Sequence, residues 1–155
     1  MSFIAGRFTA TLGASALGQT ADGFRVSHQS FARQIVGDAL AQTPQDAIHQ
    51  GAEMFVAARL IEYNAAGAQN AFWPFSTTIY DLGVIGRLYS AIADSLILTA
   101  LAGTPAAAIP ATATFLLTVL ADGFPVELLF SPDLREVPLR LRVYPNSNGV
   151  FGTQT

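Results

Sequence analysis

The chain contains no cysteine and no lysine, and only two of its 155 residues are histidines. Without cysteine, disulfide frameworks and thiolate metal sites are excluded. All eight basic residues are arginines, which are favoured over lysine at protein interfaces, although a GC-rich genome would give the same bias. The net charge of −3 and the lack of a basic run argue against a surface that grips nucleic acid.

Charge is scarce throughout. Charged residues make up 12% of the chain and apolar residues 51%, whereas an ordinary soluble domain has about 25% charged residues. The length fits one domain with one hydrophobic core. A surface so poor in charge predicts that much of it is covered by other copies of the chain or by another partner.

Two features bear on membrane association and export. The N-terminal segment lacks a basic region ahead of an apolar core, so we expect no signal peptide and folding in the cytoplasm. Residues 95–121 carry no charge and are long enough to span a bilayer. However, Gly103, Pro105 and Pro110 divide this stretch into two pieces of strand length. Two buried strands joined by a loop are the better interpretation.

Frequent turn signals predict a mainly β domain. Asp22-Gly23 precedes a strand-like segment, and Asp122-Gly123 predicts a hairpin over residues 114–130. The segment from Val137 to Tyr144 alternates between apolar residues and a second face that carries Arg140 and Arg142. One face of this strand should therefore lie in the core.

Helical signals are limited to the middle of the chain. Thr43-Pro44-Gln45-Asp46 predicts a short helix or a turn over residues 43–48. Residues 64–73 are rich in alanine and end at Pro74. Residues 82–92 place apolar side chains at helical spacing. One of the last two segments should cover the sheet, and the ends of the chain, at about residues 1–17 and 145–155, are expected to be flexible or exchanged between subunits.

Catalytic chemistry finds little support. His28 and His49 have no carboxylate beside them at metal-ligand spacing. The Gly-Ala-Ser-Ala-Leu-Gly run around Ser15 misses the nucleophile elbow by one position. No glycine-rich phosphate loop is present. We therefore predict no catalytic, cofactor or metal site and no enzyme activity. Trp73 and Phe75, on either side of Pro74, are expected to anchor either an interface or the core.

An ordered series of landmarks runs from Thr20 to Glu62. A strand-like segment over residues 20–36 is followed by a Gly37-Asp38 turn and a Thr43-Pro44-x-Asp46 connection. A break at Gly51 then leads into an apolar strand that closes on Glu62. This series resembles phage tail tube proteins, also called major tail proteins. The second half of the chain, to Tyr144, is similar to them mainly in architecture.

The resemblance implies a β-sandwich or small β-barrel with one flanking α-helix. It also implies hexameric rings that stack into a tube, through which DNA passes without specific binding. The partners would be other copies of the chain and tail proteins such as the tape measure and terminator. The protein would be assembled in the host cytoplasm, would lie in the virion tail and would need no cofactor.

Particular residues are implied as subunit contacts. The connection from Asp38 to Gly51 would reach a neighbouring subunit or ring. Lumen-facing loops should be acidic or neutral so that DNA slides, with the arginines of the last strand paired across subunits. The interface candidates are Gly37, Asp38, Thr43, Pro44, Asp46, Gly51, Glu62, Trp73, Phe75, Arg140 and Arg142.

Three other functions remain open at this stage. A capsid decoration protein would share the β-rich, cysteine-free and weakly charged character but would form trimers or monomers on a shell. A ring protein similar to the inner tube of type VI secretion would share the hexameric form. An enzyme would need a concave site with converging polar groups, for which the sequence offers few candidates.

Overall fold

The computed structural model describes residues 8–62, 65–101, 112–128 and 136–155. Over these residues the protein is mainly β with a flanking helix, as predicted, and the described strands form one antiparallel sheet of eight. The strands are β1 Phe8–Leu12, β2 Ser15–Ala16, β3 Thr20–Val36, β4 Pro44–Leu60, β5 Asp94–Ala100, β6 Thr112–Leu120, β7 Val137–Tyr144 and β8 Gly152–Gln154. The helices are α1 Ala65–Phe72 and α2 Tyr89–Ile92, and a 3-10 turn spans Asp38–Leu40.

The strand order across the sheet is β2-β1-β5-β6-β7-β4-β3. The long central strand β6 has two partners on one side. Its first half pairs with β8, with Phe115 opposite Gly152, and its second half pairs with β7, with Leu120 opposite Leu141. The two longest strands, β3 and β4, lie at one end of this order, and they extend well beyond their neighbours.

The core follows from the alternation of side chains along the strands. In β7, Val137, Leu139, Leu141 and Val143 are all at least 97% buried, whereas Arg140 is exposed. The same core cluster takes one face of β1, β4, β5 and β6 together with the buried side of α1. Strands at both ends of the sheet therefore enclose one core, to which each buried aliphatic side chain contributes about 1.5–3 kcal/mol.

Helix α1 confirms the alanine-rich prediction for residues 64–73. Its buried residues are Gly67, Ala68, Ala71 and Phe72, which share one face of a helix because they lie three or four positions apart or adjacent. Small side chains on this face let the helix lie close to the strands it covers. The helix ends just before Pro74, which cannot continue it.

Of the two helical candidates, α1 is therefore the one that covers the sheet, and in the other, residues 82–92, only Tyr89–Ile92 is helical. Leu82, Ile85 and Leu88 are between 72% and 81% exposed rather than packed on the sheet. Gly83 and Gly86 explain the failure, since both adopt positive φ angles that a right-handed helix does not contain. The apolar spacing is real, but the backbone between these residues is a loop.

The short helix considered for residues 43–48 is also absent. The chain makes a turn in which the Thr43 amide donates to the Leu40 carbonyl, and β4 begins at Pro44. Proline lacks an amide hydrogen but is tolerated as the first residue of a strand. Pairing with β3 along the whole of this segment outweighed the local helix-start signal.

The hairpin predicted over residues 114–130 was wrong in its second strand. Residues 124–128 are not in a strand, and residues 129–130 lie outside the described part. Instead, β6 pairs with β7, and the Ala121 amide donates to the Arg140 carbonyl. Pro125 offers one reason, because it has no amide hydrogen to donate to a ladder.

Both ends of the described chain pair within the sheet, and their expected exchange between subunits stays a prediction. Residues 8–16 form β1 and β2, and β8 at the C-terminus pairs with β6. Residues 1–7 lie outside the described part. Within the uncharged stretch of residues 95–121, the two predicted strands are confirmed as parts of β5 and β6, and the loop between them lies mostly outside the described residues.

Candidate interaction surfaces

The long strands β3 and β4 form an arm that extends beyond the body of the sheet. β7 pairs with β4 only from Met54 to Leu60, and β3 has no second neighbour among the described strands. Residues 29–53, here called the arm, are therefore a two-stranded ribbon with both edges unpaired among the described strands. Eight residues of extended strand make it about 25 Å long.

One face of the arm carries an apolar stripe. Arg33 lies directly opposite Ile48 in the register, and Phe31 and Ile35 flank Arg33 on the same face. Phe31, Ile35 and Ile48 are 41%, 40% and 55% exposed. Close to the tip, Val36 and Leu40 are also more than half exposed. No described part of the chain covers this stripe.

A bulge beside Gly51 creates the stripe. Phe31 pairs with Gly51, but the next residue, Ala32, pairs with His49, so β4 contains one extra residue here. Gly51 has a backbone φ of +147°, which residues other than glycine rarely adopt. Because one extra residue reverses which face each later side chain occupies, the bulge places Ile48 on the same face as Phe31.

A second apolar surface is the loop of residues 80–88, here called the apolar loop. Its large apolar side chains are 62% to 81% exposed. They are Tyr80, Leu82, Val84, Ile85 and Leu88. Contiguous exposed apolar side chains of this kind mark interaction sites on soluble proteins.

The apolar loop has a defined conformation because polar contacts hold it from within. The Ser76 hydroxyl donates to Asp81 Oδ2 at 2.7 Å, and Asp81 Oδ1 accepts from the Gly83 amide at 3.2 Å. These hydrogen bonds lower the pKa of Asp81, and the bond from Ser76 has the larger effect. The Val84 amide also donates to the Phe75 carbonyl at 3.3 Å. The polar groups are therefore satisfied inside the loop, and the apolar groups face outward.

Aromatic rings support this loop from below. The Trp73 ring packs edge-on against Tyr80, with centroids 5.0 Å apart, and is partly buried against the core. The ring centroid of Phe75 lies 5.1 Å from that of Tyr89, at the start of α2. The two aromatic residues that flank Pro74 therefore link the core to the apolar loop. Whether they also contact another subunit stays a prediction.

The outer face of β4 and β7 carries the arginines. Arg142 lies 3.4 Å from Glu53 and 3.5 Å from Asp122, so it pairs within its own chain. Arg140 has no carboxylate partner within 4 Å among the described residues, but its guanidinium lies over the Phe55 ring. Of these two arginines, Arg140 is therefore the one whose charge is available for the expected pairing across subunits.

Arg59, on the same face, bridges Asp22 at 2.9 Å and Glu136 at 3.0 Å. The hydrogen bond with Asp22, followed by the charges of Asp22 and Glu136, raises the pKa of Arg59. All three side chains are about half exposed, and such surface ion pairs contribute little to stability. Their effect is to neutralise positive charge on this face.

The structure places the predicted contact residues in three groups. Six of them lie on the arm or at its tip, namely Gly37, Asp38, Thr43, Pro44, Asp46 and Gly51. Trp73 and Phe75 lie beneath the apolar loop, and Arg140 and Arg142 lie on the outer face of β7. Glu62 is exposed just beyond the end of β4 and joins none of these groups.

Sequence reasoning missed the side chains that make both surfaces apolar. The stripe of Phe31, Ile35 and Ile48 depends on a bulge whose only sequence signal is Gly51. Leu82, Ile85 and Leu88 of the apolar loop were assigned to one of two candidate helices, one of which was expected to cover the sheet. Gly83 and Gly86 inside that pattern were the signal against a helix.

A cavity of about 630 Å³ opens beside the core, between β3 and β8. Its wall is mostly apolar, and the described lining residues, among them Phe8, Phe24, Met54, Phe115 and Phe151, include no acidic or basic side chain. Over the described ranges, no three histidine, aspartate or glutamate side chains come together as a metal site. Among the described residues that line this cavity there is thus no carboxylate or imidazole that could act as an acid or base.

None of the helices in the described ranges is both long and apolar enough to cross a membrane. Comparison with known proteins gave no match to a family model and no match to a curated protein. The arm and the apolar loop are then the features from which a function can be argued.

Proposed function

We propose that this chain is a structural subunit that assembles with copies of itself into stacked rings, forming a tube of the phage tail tube type. The observation that carries the proposal is the arm. It projects about 25 Å from the sheet, leaves both edges unpaired among the described strands and exposes an apolar stripe. Such an element suits contact with another subunit.

The physics of the arm favours a partner. A two-stranded ribbon without a third strand or a packed face is only marginally stable in water. Unpaired edges also attract other strands, and soluble monomers usually shield them with charge or proline. Only Arg33, Asp38, Asp46 and Glu53 are charged in the arm, and Pro44 is its only proline. A partner that covers the arm would stabilise it.

The two apolar surfaces differ in shape, which supports rings rather than a symmetric dimer. The arm is a narrow ribbon and the apolar loop is a compact irregular segment. A contact between two different patches is heterologous, and repeating it generates closed rings or open filaments. A tube of stacked rings needs contacts of this kind.

The charge distribution suits a passage for DNA. The chain has a net charge of −3, and Arg59 and Arg142 are neutralised by carboxylates of their own chain. A channel lined by such a surface would not hold phosphates. Other copies of the chain are thus the main partner, with further tail proteins at the ends of the tube and DNA in transit.

The proposal is tested by negative-stain electron microscopy and analytical ultracentrifugation of the purified chain over a range of concentrations. Rings or hollow tubes of uniform diameter are expected. A monomer or trimer that never stacks would contradict the proposal and would favour a capsid decoration protein.

A matched pair of variants links assembly to the arm. Phe31→Ser together with Ile48→Ser should abolish tubes while the chain stays folded, because neither side chain lies in the core. Val150→Ser, at a residue that is 41% exposed outside both surfaces, should leave the tubes intact. If both variants assembled equally well, the apolar stripe of the arm would not be needed for assembly.

A further inference from the structure

The arm has a candidate receptor on the same molecule. The apolar loop is the other place where several large apolar side chains are highly exposed in the described chain. The arm is exposed along residues 29–36 and 38–50, so the loop of its own chain does not cover it. Both surfaces would lose solvent contact if the arm of one copy met the loop of another.

The charges at the two surfaces are complementary. Asp38 and Asp46, at the tip of the arm, have no arginine within 4 Å in the described part of the structure, and both are exposed. Arg87 lies between Ile85 and Leu88 in the apolar loop and likewise has no described carboxylate within that distance. Arg33, within the stripe, also has no described carboxylate within 4 Å, so the negative charge that complements Arg87 lies at the tip of the arm and not along the stripe.

From this complementarity we infer that the arm of one copy docks on the apolar loop of a neighbouring copy, with Phe31, Ile35 and Ile48 against Leu82 and Ile85, and Asp38 or Asp46 facing Arg87. This inference rests on the proposed self-assembly and specifies the two surfaces that meet. The occupant of the arm is a second copy of this chain. The contact is heterologous, so each subunit offers one arm and one loop and can bind two neighbours.

The internal hydrogen bonds of the loop make it a suitable receptor. Asp81 is bonded to Ser76 and to the Gly83 amide, so its charge is engaged within the loop. Tyr80 is held on Trp73. A receptor that is already ordered loses little conformational freedom on binding, which favours affinity.

The absence of cysteine from the chain allows a direct test by site-specific cross-linking. Two single variants are made, Ile48→Cys on the arm and Leu82→Cys on the loop, and each is treated with a short bis-maleimide alone or after mixing under assembly conditions. Cross-linked dimers are expected only in the mixture. A third variant, Ser147→Cys in an exposed turn outside both surfaces, serves as the control.

Each outcome has a defined meaning. Dimers in the mixture, but not with the control variant, support the docking of arm on loop. Dimers from Ile48→Cys alone would show arm-to-arm pairing and would overturn it. Tubes without cross-links in the mixture would also overturn it, while leaving the proposed function intact. Absence of any assembly by the cysteine-free chain would contradict the proposed function itself.

Charge exchange provides a second measurement. Arg87→Glu should weaken assembly about two- to fivefold, as expected for one exposed ion pair. Adding Asp38→Arg and Asp46→Arg to that variant should restore assembly. Arg25→Glu, at an exposed position on β3 outside the arm, is the matched control. Any assembly that this variant loses should not be restored by Asp38→Arg and Asp46→Arg. Rescue of both variants, or of neither, would contradict the pairing of these charges.

Discussion

The guanidinium of Arg140 lies 4.2 Å from the centroid of the Phe55 ring, across the pairing of β7 with β4. Arg142 approaches the same ring at 5.5 Å. Two adjacent arginines of one strand face therefore share an aromatic surface, while Glu53 and Asp122 neutralise Arg142. This arrangement lets two positive charges lie on one sheet face without two separate carboxylate pairs.

We expect a measurable coupling between Arg140 and Phe55. A double-mutant cycle with Arg140→Met and Phe55→Leu should give about 0.5–1 kcal/mol, the value of a cation–π contact at an exposed site. The free energy of unfolding in urea measures each variant. Additive effects of the two substitutions would show that the contact contributes nothing to stability.

A matched pair of leucines separates the core from the interaction surface. Leu96 is fully buried and Leu82 is 77% exposed. Leu96→Ala should lower the free energy of unfolding by about 2–5 kcal/mol because it leaves a cavity. Leu82→Ala should change it by no more than about 0.5 kcal/mol. Urea unfolding checks both, and equal losses would show that Leu82 is covered in the folded monomer.

The conformation of the apolar loop should depend on Gly83 more than on Gly86. Both have positive φ, so alanine at either position costs about 1–2 kcal/mol in backbone strain. At Gly83 the new Cβ would also clash with the Phe75 carbonyl oxygen, whereas at Gly86 it meets open space. Gly83→Ala should therefore be the more destabilising of the two.

Fluorescence offers a local readout for these glycine variants. Trp73 is the only tryptophan and packs against Tyr80 in the loop. Gly83→Ala should alter its emission more than Gly86→Ala does. Identical spectra and unfolding midpoints for the two variants would show that the close approach of Gly83 to the Phe75 carbonyl oxygen does not determine the conformation of the loop.

The loop should also respond to acid through Asp81. The hydrogen bond from Ser76, followed by that from the Gly83 amide, lowers the folded pKa of this carboxylate below its ordinary value of 3.8. A lowered folded pKa means that its contribution to stability is fully present above the unfolded pKa. The contribution is lost as the pH falls through the folded pKa.

The stability of the native chain and of Asp81→Asn should therefore differ above about pH 5, and the difference should shrink below the ordinary aspartate pKa of about 3.9 and vanish below the lower folded pKa. Urea unfolding at several pH values, with Trp73 emission as the probe, measures this. Asp38→Asn, on the arm and outside the Ser76 network, is the control. A difference that persists unchanged at low pH would exclude the carboxylate as its source.

Local patterns predicted some elements well. The alternation from Val137 to Tyr144 gave both the bounds and the buried face of β7, because each side chain's face depends only on its position in the strand. The alanine-rich segment ending at Pro74 likewise predicted α1. The strand-like segment over residues 20–36 predicted β3 with the same bounds, whereas the residues from Pro44 onward, predicted as a short helix or a turn, lie in β4.

Other features depended on contacts between distant residues. β6 pairs with β7 rather than with the segment that follows the Asp122-Gly123 turn, and no local pattern identifies that partner. The apolar spacing from Leu82 to Ile92 suited a helix, but Gly83 and Gly86 bend the backbone into a loop. Packing, not spacing, decides whether such side chains are buried.

By itself, the amino-acid sequence determined the β class, the alternating faces of β7, the lack of cysteine chemistry and the low charge that favours a covered surface. Each of these follows from composition or from neighbours along the chain. Only the tertiary structure decided that β3 and β4 extend past the sheet and that a bulge at Gly51 aligns Ile48 with Phe31. Strand length beyond a neighbour and side-chain alignment across a bulge depend on pairing between residues far apart in sequence.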